Sequence, residues 1–247
     1  MEPYFYKKGM PSISDDTDII TIELPTGEEY TAHAHLLVHY SKYFRNALRS
    51  GMKEASTRRF KLDEPATSDT LSFFIKWLYS RNWNAKDGDN WVDSDCPPLL
   101  FTKVWLFADY IQASELQNNV VALLCANYEY YPEDLSLRLE EFTSLPIRPN
   151  SGLYRLMTKE IARGISDSSI TKENRVACLQ KLDTDAITSV TLHLAEHNAV
   201  LDRAELEDDS DKNLANAAIS HVYWWPPVEE FFEKDEEPTR KAWHTHA

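Results

Sequence analysis

The chain contains 247 residues, of which 43% are hydrophobic and 27% are charged, the composition of a globular protein with a sizeable core. Its formal net charge of −14 argues against nucleic acid or an anionic membrane as the main partner, because phosphate binding needs clustered Lys and Arg side chains. The densest basic cluster contains only Arg58, Arg59 and Lys61, and no apolar run is long enough to cross a bilayer.

The first predicted element is a β-hairpin. Asp18–Leu24 is rich in β-branched residues, and Pro25-Thr26-Gly27 is a turn signal, so residues 28–33 are expected to return as a second strand. Residues 59–62 alternate between charged and apolar side chains, which predicts a third short strand that ends before Pro65.

A short helix is predicted between the second and third strands. Ser41 is a good N-cap residue for it, and Gly51 is expected to end it. Phe44, Ala47 and Leu48 share one face of this helix. That face is therefore expected to be buried.

The remainder of the chain contains further apolar stripes with helical spacing. We predict helices over Leu71, Phe74, Ile75 and Leu78 behind a Ser68 cap; Leu100, Val104, Phe107, Ala108 and Ile111; Leu116, Val120 and Leu123 behind a Ser114 cap; Leu153, Leu156 and Ile161; Val176 and Leu179; and Ile187, Val190, Leu194 and Leu201.

These patterns divide the chain into regions. Residues 1–17 are predicted to be a flexible segment, and residues 18–130 a domain with a polar loop insertion at 81–98. Pro132 cannot continue the preceding helix, so residues 131–204 are assigned to a helical C-terminal region. Residues 205–247 form a tail rich in acidic residues, and its aromatic residues include Trp224 and Trp225. These aromatic side chains can dock on the protein itself or on a partner.

Several separated motifs in one order resemble the BTB/POZ family over about Asp18 to Cys125. They are Tyr30-Thr-Ala-His33, Leu36-Leu37, Ser41-Lys-Tyr-Phe-Arg45, Ser50-Gly-Met-Lys-Glu54, Phe74-Ile-Lys-Trp-Leu-Tyr79 and Leu106-Phe-Ala-Asp-Tyr-Ile111 followed by Leu116. The rest of the chain is similar to the fungal members that carry a helical C-terminal region. The resemblance implies an α+β fold, with a small sheet of three or slightly more strands covered by helices.

The resemblance also implies a function in binding other proteins. In members that act as substrate adaptors of cullin-based ubiquitin ligases, a hydrophobic-x-Glu element lies in the loop before the third strand, and Met52-Lys53-Glu54 fits it. Met52 would supply a flexible apolar contact, and Glu54 a charge that fixes the register on a partner. A transcription-linked scaffold remains the other role. Repressor-type members pair an Asp at the start of the first strand with a basic residue after the His, but here Asp18 is accompanied by Ala34.

Self-association is expected to be weak. Dimeric members of the family have an additional amphipathic helix before the first strand. Residues 1–17 are interrupted by Pro3, Gly9 and Pro11 and are not expected to form one. With repulsion between copies of net charge −14, this predicts a monomer or a weak homodimer.

The alternative of a different class is a zinc hydrolase. His193-Leu-Ala-Glu196-His197 matches the H-x-x-E-H pattern, in which two His side chains on one helix face bind zinc and the Glu activates water. A catalytic zinc needs a third rigid ligand, and the downstream carboxylates lie in or beside the acidic tail. No glycine-rich phosphate loop and no G-x-S-x-G nucleophile occurs. We therefore predict no catalytic residue, metal or cofactor, and a protein that is not an enzyme.

The compartment is expected to be reducing. Residues 1–17 lack the apolar core of a signal peptide. The three cysteines, Cys96, Cys125 and Cys178, are odd in number and widely spaced, which is not typical of a disulfide framework. A cytoplasmic or nuclear location follows, and the sequence does not choose between the two.

Overall fold

The computed structural model describes residues 18–51, 53–80, 98–130, 135–167 and 170–205. These residues form a mixed α+β structure, as the sequence predicts. In chain order the elements are β1 (Ile19–Glu23), β2 (Glu29–His33), α1 (Ala34–Tyr40), α2 (Lys42–Arg49), α3 (Lys53–Thr57), β3 (Arg59–Lys61), α4 (Ser68–Ser80), α5 (Pro98–Tyr110), α6 (Ser114–Tyr130), α7 (Leu135–Ser144), α8 (Gly152–Ser166), α9 (Lys172–Leu179) and α10 (Thr184–Glu205).

The three strands form one small sheet in the order β2-β1-β3. β1 pairs antiparallel with β2, with Ile22 opposite Tyr30, and parallel with β3, with Ile22 opposite Phe60. Gly27 has a φ of +85°, which suits the tight turn of the hairpin. Ile20, Ile22 and Phe60 are buried on one face of the sheet. The predicted hairpin and third strand are confirmed.

Ser41 joins α2 to the end of α5. Its hydroxyl accepts a hydrogen bond from the Phe44 N–H at 3.2 Å, as an N-cap does, and donates one to the Ile111 carbonyl at 2.6 Å. Phe44 is fully buried and packs edge-to-face against Phe60, with ring centroids 5.2 Å apart. The predicted cap is confirmed. Of the predicted buried face, Phe44 is buried, whereas Ala47 and Leu48 are only half-buried.

The later helices lie where the stripes predict them, although Val176 of α9 and Ile187 of α10 are exposed, and two further differences occur. Thr67, not Ser68, caps α4, because its hydroxyl accepts from the Thr70 N–H at 3.3 Å and Ser68 is already helical. α7 was not predicted. Leu135, Leu139 and Phe142 nevertheless form a buried stripe along it. None of the helices in the described part of the chain is long and apolar enough to cross a membrane.

The core continues from the sheet into the C-terminal helices. α5 packs on α4 and α6, and α8 packs on α6, α7 and α10. Tyr128 of α6 lies under the Arg138 guanidinium of α7, 4.4 Å from its ring centroid. The boundary predicted near Pro132 lies outside the described residues, as do residues 1–17, 81–97 and 206–247. The division into domains stays a prediction.

Candidate protein-interaction site

An open groove of about 780 Å³ lies between α2, α3 and β3. Tyr43 and Ala47 of α2 contribute apolar surface to it, Phe60 of β3 lies at its floor, and Lys53 and Glu54 of α3 contribute charges. Aromatic and small apolar surface edged by charged groups is the usual anatomy of a patch that binds another protein. The groove is therefore the candidate interaction site.

Two residues with positive φ lie on either side of α3 and turn the chain sharply at both of its ends. Gly51 has a φ of +69° and Arg58 a φ of +56°. The Arg58 N–H donates to the Glu54 carbonyl at 2.9 Å, which closes the last turn of α3. The short helix is thereby held beside β3 and forms one wall of the groove.

The prediction that the Met52-Lys53-Glu54 element lies in a loop is wrong for its last two residues. Lys53 and Glu54 belong to the first turn of α3, where a carboxylate is favoured by the helix dipole. Both side chains are exposed. Met52 lies outside the described residues. Because Glu54 belongs to a helix, the direction of its side chain is more restricted than it would be in a loop.

Ion pairs line the strand side of the groove. Glu23 lies 2.9 Å from Lys61 and 3.6 Å from Arg59, and Arg59 also pairs with Glu29. The hydrogen bond from Lys61 lowers the pKa of the Glu23 carboxyl below its ordinary value, and Arg59 adds to this effect. In contrast, no carboxylate among the described residues lies within ion-pair distance of Lys53. Lys53 is an exposed cation on the wall of the groove.

Tyr43 gives the groove its aromatic wall. Its ring lies 5.7 Å from that of Tyr110, centroid to centroid, in a tilted arrangement. Burial raises the pKa of the Tyr43 hydroxyl, and Tyr110 and Glu54 act in the same direction. The hydroxyl is therefore a neutral donor at ordinary pH, suited to a polar contact at the edge of an apolar surface.

The residues related to repressor-type recognition are arranged differently from that family pattern. The Asp18 carboxylate lies 2.8 Å from Arg58, and both side chains are exposed. Ala34 follows His33 and carries no charge, although its N–H donates to the Asp18 carbonyl at 2.8 Å. The His33 ring lies 2.6 Å from the Tyr79 hydroxyl through Nδ1. The cation beside Asp18 thus comes from the turn before β3.

The H-x-x-E-H residues lie on α10, where it packs against α8. The His193 ring approaches the Glu196 carboxylate through Nδ1 at 3.7 Å and the Thr158 hydroxyl through Nε2 at 3.5 Å. His197 is buried, and burial lowers the pKa of its imidazole. Across the described ranges, no three His, Cys, Asp or Glu side chains come together in a way that could hold a metal ion. Nothing in this arrangement favours the zinc alternative.

A buried charge cluster joins α5, α7 and α8, and sequence reasoning missed it. Glu160 lies 2.6 Å from Arg138 and 3.1 Å from Arg163, and Glu141 accepts a hydrogen bond from Thr102. Burial raises the pKa of Glu141 and of Glu160, although the two guanidinium groups oppose it at Glu160. Apart from the half-buried Arg163, these groups are interior, and their contacts join α5, α7 and α8.

Comparison with known proteins assigns no family to the chain. It matches no protein-family model, and no curated protein matches it significantly. Its function is therefore inferred from the groove and from the order of its structural elements.

Proposed function

We propose that this chain is a non-enzymatic protein-interaction module of the BTB/POZ type that acts as a substrate adaptor for a cullin-based ubiquitin ligase. The order of elements supports the class: a hairpin, two helices, a parallel third strand and then three helices, with the sheet order β2-β1-β3. The resemblance implies the order strand, strand, helix, helix, strand, helix, helix, helix, and the short helix α3 is an addition to it. Under this proposal the protein works in the cytosol or the nucleus, where thiols stay reduced.

The observation that carries the specific role is the position of Glu54. Its exposed carboxylate lies on the wall of the groove, beside the apolar surface of Tyr43 and Ala47. A partner helix with an apolar face and one basic residue would satisfy both features, since charge complementarity fixes register while apolar burial supplies affinity. Met52, two residues earlier, would add a flexible apolar contact.

The transcription-linked alternative receives less support. The resemblance ties that role to a basic residue at position 34, where this chain has alanine. Asp18 is instead paired with Arg58 on the protein's own surface. We therefore place the ubiquitin-ligase role first.

The proposal is tested by affinity capture from the native cell, followed by titration of the full chain with the recovered cullin. We expect Met52→Ala combined with Glu54→Lys to weaken binding by about 2 kcal/mol or more, or about 30-fold, which is the range of an interface hot spot. The fold should persist, because Glu54 is exposed. Circular dichroism checks this.

A matched control is Glu140→Lys, which makes the same charge change on the exposed surface of α7, away from the groove. It should leave cullin binding unchanged. Wild-type protein that shows no cullin binding at micromolar concentration would exclude the adaptor role. Equal losses from the double variant and the control would mean that net charge, and not the groove, governs binding.

A further inference from the structure

Among the described residues, β3 is an edge strand of the sheet, and no element is hydrogen-bonded to its outer side. The Thr21 N–H donates to the Arg58 carbonyl at 2.9 Å, and the Leu62 N–H donates to the Glu23 carbonyl at 3.0 Å. In a parallel ladder these two bonds determine which residues of β3 face β1. Phe60 directs its N–H and C=O groups towards β1. The N–H and C=O groups of Arg59 and Lys61 therefore point away from the sheet.

The outer edge of β3 borders the groove. Arg59, Phe60 and Lys61 all line it. None of the hydrogen bonds within the described ranges joins the backbone groups of Arg59 or Lys61 to a neighbouring element across that edge. Open N–H and C=O groups beside a groove are what an added strand requires, because it gains backbone hydrogen bonds and a place for every second side chain.

We propose that β3 accepts an extended, acidic peptide segment of a partner protein as a fourth strand of the sheet. Side chains of a strand alternate between its two faces. On one face, the peptide's residues would enter the groove against Tyr43 and Ala47. On the other face they would lie beside Arg59 and Lys61, which project from the solvent face while Phe60 projects into the core. A segment that alternates apolar and acidic residues fits both faces.

The positive charges on β3 favour an acidic peptide over a second copy of the chain as the added strand. Two copies of β3 paired antiparallel about Phe60 would place Arg59 of each copy opposite Lys61 of the other, and like charges directly opposite each other destabilise a pair of strands. An acidic strand meets the same two cations favourably, in competition with Glu23 and Glu29, which already pair with them. Lys53, on the groove wall, has no carboxylate partner among the described residues and would add to this preference.

The inference does not rest on the proposed cullin role, although Glu54 lines the same groove. It depends on the backbone of Lys61, while the cullin proposal depends on the side chains of Met52 and Glu54. A Lys61 variant leaves both of those side chains unchanged. Failure of one proposal can therefore be told apart from failure of the other.

The test titrates the full chain with a panel of blocked hexapeptides in which Glu or Asp alternates with Val, Ile or Thr. Three controls accompany it: the same peptides with Lys in place of the acids, the same peptides N-methylated at alternate residues, and a peptide with the sequence of residues 228–237, which is also acidic. N-methylation removes backbone donors and keeps the side chains, so it separates strand addition from other contacts.

The matched variants are Lys61→Pro and Lys61→Ala. Both lose the ion pair with Glu23, but only proline removes the outward N–H. Proline is tolerated in an edge strand where the N–H faces outward, so the sheet should persist, as circular dichroism can verify. We expect acidic peptides to bind saturably, and Lys61→Pro to bind them about tenfold more weakly than Lys61→Ala.

N-methylation should cause a similar loss even if Lys61→Pro fails to fold. The proposal is overturned if no acidic peptide binds below about 1 mM, if Lys-containing peptides bind equally well, or if N-methylated peptides keep their affinity. Binding by the 228–237 peptide alone would assign the edge to the chain's own segment. A dimer in sedimentation that Lys61→Pro dissociates would assign it to a second copy. Either result would overturn the proposal that a segment of a partner protein binds this edge.

Discussion

Glu160 lies at the centre of the buried charge cluster, and replacing it with alanine is expected to destabilise the protein by about 3–5 kcal/mol. Its carboxylate is 2.6 Å from Arg138 and 3.1 Å from Arg163, and the residue is only 1% exposed. Without it, the Arg138 guanidinium, in a residue 6% exposed, would remain buried against the Tyr128 ring. Arg163 is nearer to solvent. Loss of the Glu160 charge beside the buried Arg138 guanidinium therefore accounts for most of the destabilisation.

Further variants separate charge from volume. Glu160→Gln keeps the shape of the side chain and removes its charge, so it should retain most of the destabilisation. Arg138→Met combined with Glu160→Leu removes both charges together, and a well-packed apolar pair is often as stable as the ion pair it replaces. The double variant should therefore be more stable than Glu160→Ala. Glu140→Gln, on the exposed surface of α7, is the control and should stay within about 0.5 kcal/mol of wild type.

Urea denaturation followed by circular dichroism measures these free energies of unfolding. A loss of about 3–5 kcal/mol is a large fraction of the 5–15 kcal/mol typical of a folded protein, so it is readily resolved. The reasoning is refuted if Glu160→Gln unfolds at the wild-type urea midpoint. It is also refuted if the double variant is as unstable as Glu160→Ala, because lost packing would then account for the effect.

Three other outcomes are expected. Phe44→Ala should cost about 3–5 kcal/mol, because Phe44 is fully buried against Phe60, and an unchanged melting temperature would contradict the assigned helix faces. Burial raises the pKa of Glu141, so the folded protein holds the proton of this carboxyl more tightly than the unfolded protein does. The stability that the bound proton contributes is therefore lost as the pH rises above about 4.3 through the raised pKa. Glu141→Gln should make the melting temperature fall less steeply with rising pH than it does in the wild type. Parallel curves of melting temperature against pH for the two proteins would contradict this. Sedimentation should find a monomer, or a dimer weaker than about 10 μM, because a net charge of −14 opposes association; a stable dimer at a few micromolar would contradict this.

The elements predicted well are those whose local signals agree. β-branched residues and a Pro-Thr-Gly turn specify the hairpin, and Ser41 specifies the start of α2. The third strand is only three residues long, yet the alternation of residues 59–62 predicts it, and Phe60 lies inside while Arg59 and Lys61 lie outside. In each case the residues that form the element also carry the signal for it.

The elements missed lacked such agreement. α3 is five residues long and has no buried residue, so it has no apolar stripe to recognise. α7 has one, but Arg138 and Glu141 are typical of a solvated face, and both are buried. Arg138 pairs with Glu160, 22 residues further along the chain, and Glu141 accepts a hydrogen bond from Thr102, 39 residues earlier. Periodicity within one helix does not reveal which groups of another helix will lie against it.

The position of Phe60 limits which variants can test the groove. Its side chain belongs to the core, and its backbone groups belong to the ladder with β1. A change at Phe60 would therefore alter folding and binding together. Lys61 and Glu54 differ from it because their side chains are exposed and, at Lys61, the backbone faces outward. Variants at Lys61 therefore test the edge of β3, and variants at Glu54 test the groove wall formed by α3. Their effects on different partners can therefore distinguish two binding modes in one groove.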